Sequence, residues 1–317
     1  MNVLVRVLTV IAIGLLTSVA ANAAGDGTEQ KAVLVTGASS GIGLKITELL
    51  AANGFHVYAG ARKAEDLEKL DTMENVSSVR LDVTKQGEID AAVEFVEQQG
   101  RGLWGVVNNA GVAVFSPLST GPVEDLRFTL DVNVVGPYLV NQAFLPLVVE
   151  SRGRTTTIGS INGFVSSSLA GAYVMSKFAV EGYTDSLAME LQDSGVQVSV
   201  VEPGSYKSGI RDKVAAYAQA SADKGNIELT GETRKILDDF ATSNESMKEP
   251  DEVAEAVLHF MTSDTPKRRY MVTPNEVQAN ATIRSAMERV VELNEDQPYS
   301  YDRDELVAML DELLEAE

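Results

Sequence analysis

The chain contains no cysteine among its 317 residues. Disulfide bonds, thiolate metal sites and a thiol nucleophile are therefore excluded. Histidine is nearly absent too, since His56 and His259 are the only two. That count excludes a metal site built from several histidines. Each lies in an apolar segment, which is typical of a structural side chain.

Basic residues are scarce relative to acidic ones. Lysine and arginine number 26 against 46 aspartates and glutamates, which gives a net charge of −20. Such a charge disfavours nucleic acids and anionic membranes as partners and favours solubility. The hydrophobic fraction of 44% is nevertheless normal for a globular protein with a sizeable core.

The most apolar stretch lies at the N-terminus. Arg6 is the only charged residue in the first 24, an apolar run follows from residue 7 to 19, and Ala21-Asn22-Ala23 fits a small-x-small cleavage site. The run is shorter than the ~20 residues that span a bilayer, although residues 3–24 together give a marginal span. Residues 1–24 are thus either a cleaved signal peptide of an exported, periplasmic protein or an N-terminal membrane anchor.

After a polar linker at residues 25–31, the sequence predicts the entry of a dinucleotide-binding fold. Residues 32–35 form a short apolar run typical of a buried parallel strand, and a helical pattern starts at Leu44. Between them, glycines would let the backbone approach a pyrophosphate at the helix N-terminus. The cofactor-binding candidates in this turn are Thr36, Gly37, Ser39, Ser40, Gly41, Ile42 and Gly43.

The end of the second predicted strand indicates which cofactor is used. A protein that binds NAD usually has a carboxylate about twenty residues past the glycines, which binds the ribose hydroxyl of NAD. Ala61 stands there and Arg62 follows, and a guanidinium suits the 2′-phosphate of NADP. We therefore expect NADP, with NAD as the alternative. Asp82 and Val83, at the end of a third strand predicted over 79–83, are candidates for the adenine side, although Asp82 could equally cap the next helix.

Tyr173 and Lys177 are four residues apart in a predicted helix, so their side chains share one face. A phenol titrates near pH ~10, and a nearby cation lowers that value. Tyr173 would then be a usable acid and base for an alcohol or carbonyl oxygen. Ser160, at the end of another strand, is placed to bind the same oxygen.

Other positions are less specific on their own. A tight turn follows the fourth strand at Asn109, Ala110 and Gly111, where Asn109 would either border a cofactor or hold strands together. Asn133 lies inside a helical region predicted over 123–148 and broken near 136–137, and a mid-helix asparagine invites a reason such as holding a water beside the lysine. Apolar strands alternating with helices predict an α/β fold with a doubly wound parallel sheet.

These motifs together resemble the short-chain dehydrogenase/reductase family. The matching residues are Thr36-Gly-x-x-x-Gly-x-Gly43, Asn108-Asn-Ala-Gly111, Ser160, Tyr173-x-x-x-Lys177 and Pro203-Gly204. The resemblance implies a Rossmann-fold dehydrogenase domain over about 32–280. It implies a catalytic tetrad of Asn133, Ser160, Tyr173 and Lys177, with Lys177 also holding the nicotinamide ribose. Pro203, Gly204 and Ser208 would complete the cofactor site.

Finer motifs, such as Leu130-Asp-Val-Asn-Val-Val-Gly136, are similar to the retinol and hydroxysteroid dehydrogenase branch. That likeness implies hydride transfer between NADP(H) and a secondary alcohol or ketone of hydroxysteroid, retinoid or small-ketone type. This sequence departs from the branch at Ser208, where threonine is usual. We also expect a homo-oligomer.

The remaining sequence predicts a lid and a tail. Residues 205–248 are polar and partly helical and would cover the substrate as a flexible lid. Residues 250–261 read as a helix and 269–272 as an edge strand. Residues 281–317 form an acidic extension with helices predicted from 281 and from 304.

Two other classes of function stay open from the sequence. Sugar-nucleotide epimerases and dehydratases also pair Tyr-x-x-x-Lys with a Rossmann fold, although their glycine spacing is usually different. A cofactor-sensing or scaffolding protein that has lost catalysis is the non-enzymatic alternative.

The targeting segment yields a direct prediction. If it is cleaved, the mature chain should start near Ala24, because Ala21-Asn22-Ala23 supplies the site. N-terminal sequencing of protein recovered from a native-like host measures this. An intact Met1 in the membrane fraction would instead show an anchor.

Overall fold

A seven-stranded sheet organises the chain. The computed structural model describes residues 30–223 and 230–315. All strands are parallel, in the order β3-β2-β1-β4-β5-β6-β7. They are β1 Ala32–Val35, β2 His56–Ala61, β3 Val76–Arg80, β4 Gly105–Asn108, β5 Arg154–Ile158, β6 Gln197–Pro203 and β7 Arg269–Val272.

Helices connect the strands and cover both faces of the sheet, so the predicted doubly wound α/β fold is confirmed. They are α1 Gly41–Ala52, α2 Ala64–Leu70, α3 Gln86–Gln98, α4 Val123–Leu130, α5 Gly136–Glu150, α6 Gly171–Glu190, α7 Gly209–Asp223, α8 Gly231–Thr242, α9 Asp251–Thr262, α10 Glu276–Asn294 and α11 Arg303–Glu315.

The core has two halves, one on each face of the sheet. Successive side chains of a strand point to opposite faces. Val33 and Val35 accordingly pack in one half, where α1 and α9 contribute Ile46 and Phe260. Leu34 packs in the other half with side chains of α3 and α5. Every residue of β1 is buried, which explains why its sequence reads as a continuous apolar run.

The helical region between β4 and β5 is irregular close to where the sequence suggested. The irregularity is a π-helical turn at Asp131–Val135, which carries Asn133 and is followed directly by Gly136 and Pro137 at the start of α5. Such insertions are frequent at functional sites.

The same region, Val123–Glu150, is long and apolar enough to cross a membrane by length and composition alone. Its inward side chains, including Val140 and Phe144, are fully buried against the sheet. Core packing therefore accounts for the apolar composition.

Several boundaries differ from those expected. The third strand spans Val76–Arg80, so Asp82 and Val83 lie in the loop after it. The helix expected to begin at 281 begins at Glu276, where Asn275 caps it by accepting a hydrogen bond from the Gln278 amide. The targeting segment, most of the linker, lid residues 224–229 and the last two residues lie outside the described part of the chain.

The topology fixes where a ligand can bind. β1 lies between β2 and β4, so the connections from β1 and β4 turn to opposite sides of the sheet. A crevice forms at the carboxyl ends of the strands at such a switch point. The glycine-rich turn follows β1, and the turn at Asn109 follows β4, so both border this crevice.

Candidate active site

The glycine-rich turn after β1 has no room for side chains. Gly37 and Gly41 have positive φ angles of 66° and 56°, a region that favours glycine. A Cβ added at Gly43 would lie 2.3 Å from the Gly37 carbonyl oxygen. The turn is therefore tight and leads directly into α1, whose N-terminal amides supply donors for an anion.

Thr36 and Asn109 tie the ends of β1 and β4 together. The Thr36 hydroxyl accepts hydrogen bonds of 3.0 Å from the amides of Asn109 and Ala110. The Asn109 side chain donates to the carbonyls of Thr36 and Gly37, at 2.9 and 3.1 Å. Asn109 thus holds the two strand ends together and also borders the crevice, which joins both roles considered from the sequence.

The crevice is a cavity of about 820 Å³. All predicted site residues line it except Thr36 and Asn133, which lie behind its wall. Those that line it are Gly37, Ser39, Ser40, Gly41, Ile42, Gly43, Arg62, Asp82, Val83, Asn109, Ala110, Gly111, Ser160, Tyr173, Lys177, Pro203, Gly204 and Ser208.

Tyr173, Lys177 and Ser160 meet on one wall of the cavity. Tyr173 and Lys177 lie one turn apart on α6, and the lysine Nζ is 5.4 Å from the centre of the tyrosine ring. The same Nζ donates a 2.8 Å hydrogen bond to the Ile158 carbonyl at the end of β5. Ser160, two residues beyond that carbonyl, accepts a hydrogen bond from the Asn162 amide.

The expected effect of Lys177 on Tyr173 is not present in this structure. Burial raises the pKa of the Tyr173 hydroxyl above its ordinary value, and a hydrogen bond with Ser160 partly offsets that rise. Burial also lowers the pKa of Lys177 to about 8, against the charge of Glu181, which raises it. The hydrogen bond with Ser160 thus favours the phenolate, but burial outweighs it.

Asn133 positions the loop after β4. Its side-chain oxygen accepts a 2.8 Å hydrogen bond from the Val112 amide, and its nitrogen donates to the Val112 carbonyl and to Ser176 Oγ. Ser176 in turn donates to the Tyr173 carbonyl. These contacts use both amide hydrogens of Asn133 and account for its place in the π-helical turn.

Arg62 directly follows β2 at one end of the cavity. Its side chain is 62% exposed, and its Nη1 lies 3.8 Å from a carboxylate oxygen of Asp82. Asp82 accepts two hydrogen bonds from Thr84, so it does stabilise the turn before α3. Although burial opposes it, these bonds and the charge of Arg62 hold the pKa of Asp82 below its ordinary value.

The lid segment closes over the loop after β4. Val214, Ala218 and Leu237 of α7 and α8 form a small apolar cluster against Ala113 and Phe115. The Tyr217 hydroxyl also donates to Asp125 of α4 at 2.7 Å. Residues of α7, α8 and the loop before them thus form one side of the cavity.

Phe115, Lys213 and Gln278 are among the cavity residues that the sequence did not reveal. Gln278, in the first turn of α10, accepts a 2.8 Å hydrogen bond from the Ser205 amide, which fixes α10 against the loop after β6. The two residues are 73 positions apart, and no local pattern signals such a contact. Lys213 adds a positive charge near Gly209 that helical periodicity alone could not place.

Comparison with known proteins gives consistent matches. The family model for short chain dehydrogenases matches residues 31–218. A 3-amino-tetrahydro-pyrrolizinone reductase of Xenorhabdus hominickii is 35% identical over 273 residues, which cover 84% of this chain and 94% of that protein. Retinol dehydrogenase 7 of Mus musculus is 34% identical over 258 residues, 76% of this chain and 80% of that protein.

A solved structure is similar as well. A variant of actinorhodin polyketide ketoreductase with NADPH superposes with a TM-score of 0.65 and is 26% identical, covering 79% of this chain and 98% of that one. The similarity therefore extends over most of the chain, and it is not confined to the glycine-rich turn.

The geometry predicts that Tyr173 carries the proton-transfer step. Tyr173→Phe keeps the ring in place but removes the hydroxyl, so steady-state turnover should fall by at least ~100-fold while cofactor affinity barely changes. Tyr58→Phe is the matched control, because the Tyr58 hydroxyl is buried in β2 away from the cavity and has no hydrogen-bond partner among the described residues. Near-normal turnover in Tyr173→Phe would rule out this role.

Proposed function

Because the chain belongs to the short-chain dehydrogenase family, we propose that it is an oxidoreductase that transfers a hydride between NADP(H) and a secondary alcohol or ketone. The observation that carries the proposal is the meeting of Ser160, Tyr173 and Lys177 in a cavity that the glycine-rich turn also lines. Family membership supports an enzyme acting on alcohol or keto groups, and the cofactor and substrate below are finer proposals.

The cavity fits a nicotinamide dinucleotide. The turn at Gly37–Gly43 leaves backbone amides free of side chains, as a pyrophosphate requires. Lys213 and Arg62 place positive charge along the same lining, which would favour phosphate groups. Pro203, Gly204 and Ser208 would lie beside the nicotinamide, and Lys177 beside its ribose. When bound, the nicotinamide supplies or accepts the hydride.

The residues of this chain would handle the proton. The Tyr173 hydroxyl would donate its proton to the oxygen of a ketone as that oxygen becomes an alkoxide, and would take the proton back in alcohol oxidation. Ser160 would hold the same oxygen by a hydrogen bond and stabilise the phenolate of Tyr173. Lys177, fixed to the Ile158 carbonyl, would keep a positive charge beside both.

The substrate end of the cavity supports a largely apolar alcohol or ketone. Phe115, Val165, Phe240 and Ala281 line it, from the loop after β4, the loop after β5, the lid and α10. A lining of this kind suits a hydroxysteroid, a retinoid or a small ketone, and apolar walls with few polar groups are typical of such pockets.

A cofactor-oxidation screen tests the function. Purified residues 25–317 would be assayed with NADPH and NADH against steroid, retinoid and short-ketone panels. Turnover on at least one ketone supports the proposal. Cofactor binding with no turnover on any panel would favour the non-catalytic sensor or scaffold instead.

Arg62 is the residue on which we base the preference for NADP. A charge-assisted contact with the 2′-phosphate is worth roughly 1.5–3 kcal/mol, or a preference of about 10- to 100-fold. Because the Arg62 side chain is 62% exposed and shares its charge with Asp82, we expect a value near the lower end.

The measurement is the ratio of kcat/KM with NADPH to that with NADH at fixed ionic strength. Arg62→Ala should remove most of the preference, and Ala61→Asp combined with Arg62→Ala should invert it. Lys63→Ala is the control, since Lys63 carries the same charge but pairs with Glu65. A wild-type ratio in favour of NADH would contradict the NADP assignment.

We also propose a homo-oligomer, and either export or anchoring in a membrane. The apolar segment at residues 3–24 supports export or membrane anchoring.

In α11 no residue is buried, although Leu310, Leu313 and Leu314 are apolar, and a helix this short is marginal in water without a partner surface. Light scattering of residues 25–317 should give a mass above that of one chain, and a single-chain mass would contradict the oligomer.

A further inference from the structure

Two glutamates are buried side by side beneath the candidate active site. Glu181 lies on α6, one turn after Lys177, and is only 8% exposed. Glu202 lies near the end of β6, directly before the Pro203-Gly204 turn that borders the cavity, and is 3% exposed. Buried carboxylates are costly unless they are paired with charge or protonated.

The available positive charge is not enough for both. Arg269 of β7 places its Nε 3.4 Å from a Glu181 oxygen and 3.5 Å from a Glu202 oxygen. Its Nη2 is already occupied by Asp185, at 2.8 Å. Both oxygens of Glu181 and one of Glu202 receive no hydrogen bond from a protein donor among the described residues. A proton on one carboxyl supplies the missing hydrogen bond between the two.

The charged groups that face the pair come from three elements. Lys177 and Asp185 lie on α6, as does Glu181, and Arg269 lies on β7. β6 contributes Glu202, the second member of the pair. Arg268 also lies nearby, but it pairs with Asp185. The loop that carries Ser160 contributes no charge.

That loop packs directly on the pair. A Cβ added at Gly159 or Gly163 would lie 3.3 or 2.9 Å from a Glu181 oxygen. Gly159 immediately precedes Ser160, so the Glu181 carboxyl supports the serine loop from below. The pair is thus in contact with the serine loop, the catalytic helix and the strand that leads to the Pro203-Gly204 turn.

Electrostatics agree with this geometry. Burial raises the pKa of Glu202 to about 8, and the neighbouring Glu181 adds to that rise. Burial likewise raises the pKa of Glu181. At neutral pH the two side chains therefore hold one proton as a unit. The negative charge on Glu181 in turn raises the pKa of Lys177.

We propose that Glu181 and Glu202 share one proton, and that the remaining negative charge is a positioning device that keeps Lys177 an ammonium in the active site. The proposal rests on the function proposed above for its meaning in catalysis. The proposal gives the two glutamates different roles. Glu181 is the nearer to Lys177 and raises its pKa, whereas Glu202 mainly competes with Glu181 for the single negative charge of the pair.

Isosteric amides separate the two roles. Glu181→Gln removes the negative charge beside Lys177, so Lys177 should lose its proton at a lower pH than in wild type. Glu202→Gln removes the competitor and leaves Glu181 fully charged, so Lys177 should keep its proton to an equal or higher pH. A purely structural role for the pair predicts no such difference in direction between the variants.

NADPH binding as a function of pH, followed by the fluorescence of the cofactor, measures this without turnover. Relative to wild type, Glu181→Gln should lose at least about threefold more affinity at about pH 8 than at about pH 6, while Glu202→Gln should show no such loss. Asp185→Asn is the matched control, since it removes the same charge from the same helix and the same arginine but lies two turns from Lys177. Equal shifts in both glutamate variants, or none, would overturn the proposal.

A second measurement tests the shared proton itself. Since the pKa of Glu202 is raised on folding, from 4.5 to about 8, its stabilising contribution is complete below about pH 4.5 and is lost as the pH rises through about 8. The free energy of unfolding of Glu202→Gln, relative to that of wild type, should therefore increase between about pH 5 and pH 8. A constant difference would refute proton sharing, even if Glu181→Gln failed to fold.

The outcomes also separate this inference from the proposed function. The expected loss of NADPH affinity in Glu181→Gln but not in Glu202→Gln, with no turnover on any ketone, would refute the function and leave the glutamate pair standing. Turnover with no shift in any variant would do the reverse.

Discussion

The site depends above all on the hydrogen bonds that join Thr36 to Asn109. They tie the end of β1 to the end of β4 at the switch point of the strand order, and so hold the glycine-rich turn at a fixed distance from the loop after β4. A Cβ at Gly43 would lie 2.3 Å from the Asn109 side-chain nitrogen, so the turn, the helix behind it and the asparagine fit only with glycine there. The neighbouring strands pair in register with β1 and β4, and this register sets the positions of the other cavity residues at the strand ends.

A second layer of polar contacts orients the proton-transfer residues from behind. Asn133 fixes the loop after β4 and reaches Tyr173 through Ser176. Lys177 is attached to the end of β5, and Glu181 supports the loop of Ser160. None of these partners needs to touch a substrate. Together they limit the movement of Ser160, Tyr173 and Lys177, the side chains to which we assign the proton transfer.

Most of the fold was predictable because buried parallel strands read as short apolar runs and the glycine turn has a local signature. β1, with all four residues buried, is the clearest case. Gly136-Pro137 indicated an irregularity at the right place in the helical region, but its form, a π-helical turn at Asp131–Val135, was not predictable. Tertiary contacts placed the turn, through Asn133 and Val112.

The candidate site shows the same limit. Tyr173, Lys177 and Ser160 could be predicted because each sits at a recognisable place on a helix or a strand end. Gln278 and the carboxyl pair could not, since what matters about them is a neighbour far along the chain. The direction of the Tyr173 pKa was wrong for a related reason: spacing predicted that Lys177 would be near, but it did not reveal how strongly burial would act on the phenol.

The contact between Gln278 and Ser205 has a consequence for biosynthesis. A chain emerging from the ribosome can pair β1 with β4 early, but the rim of the cavity is finished only when α10 has been synthesised, because Gln278 lies 73 positions beyond Ser205. A ligand that needs this rim could therefore be held only after α10 has docked. Until then, the cavity lining is open to water.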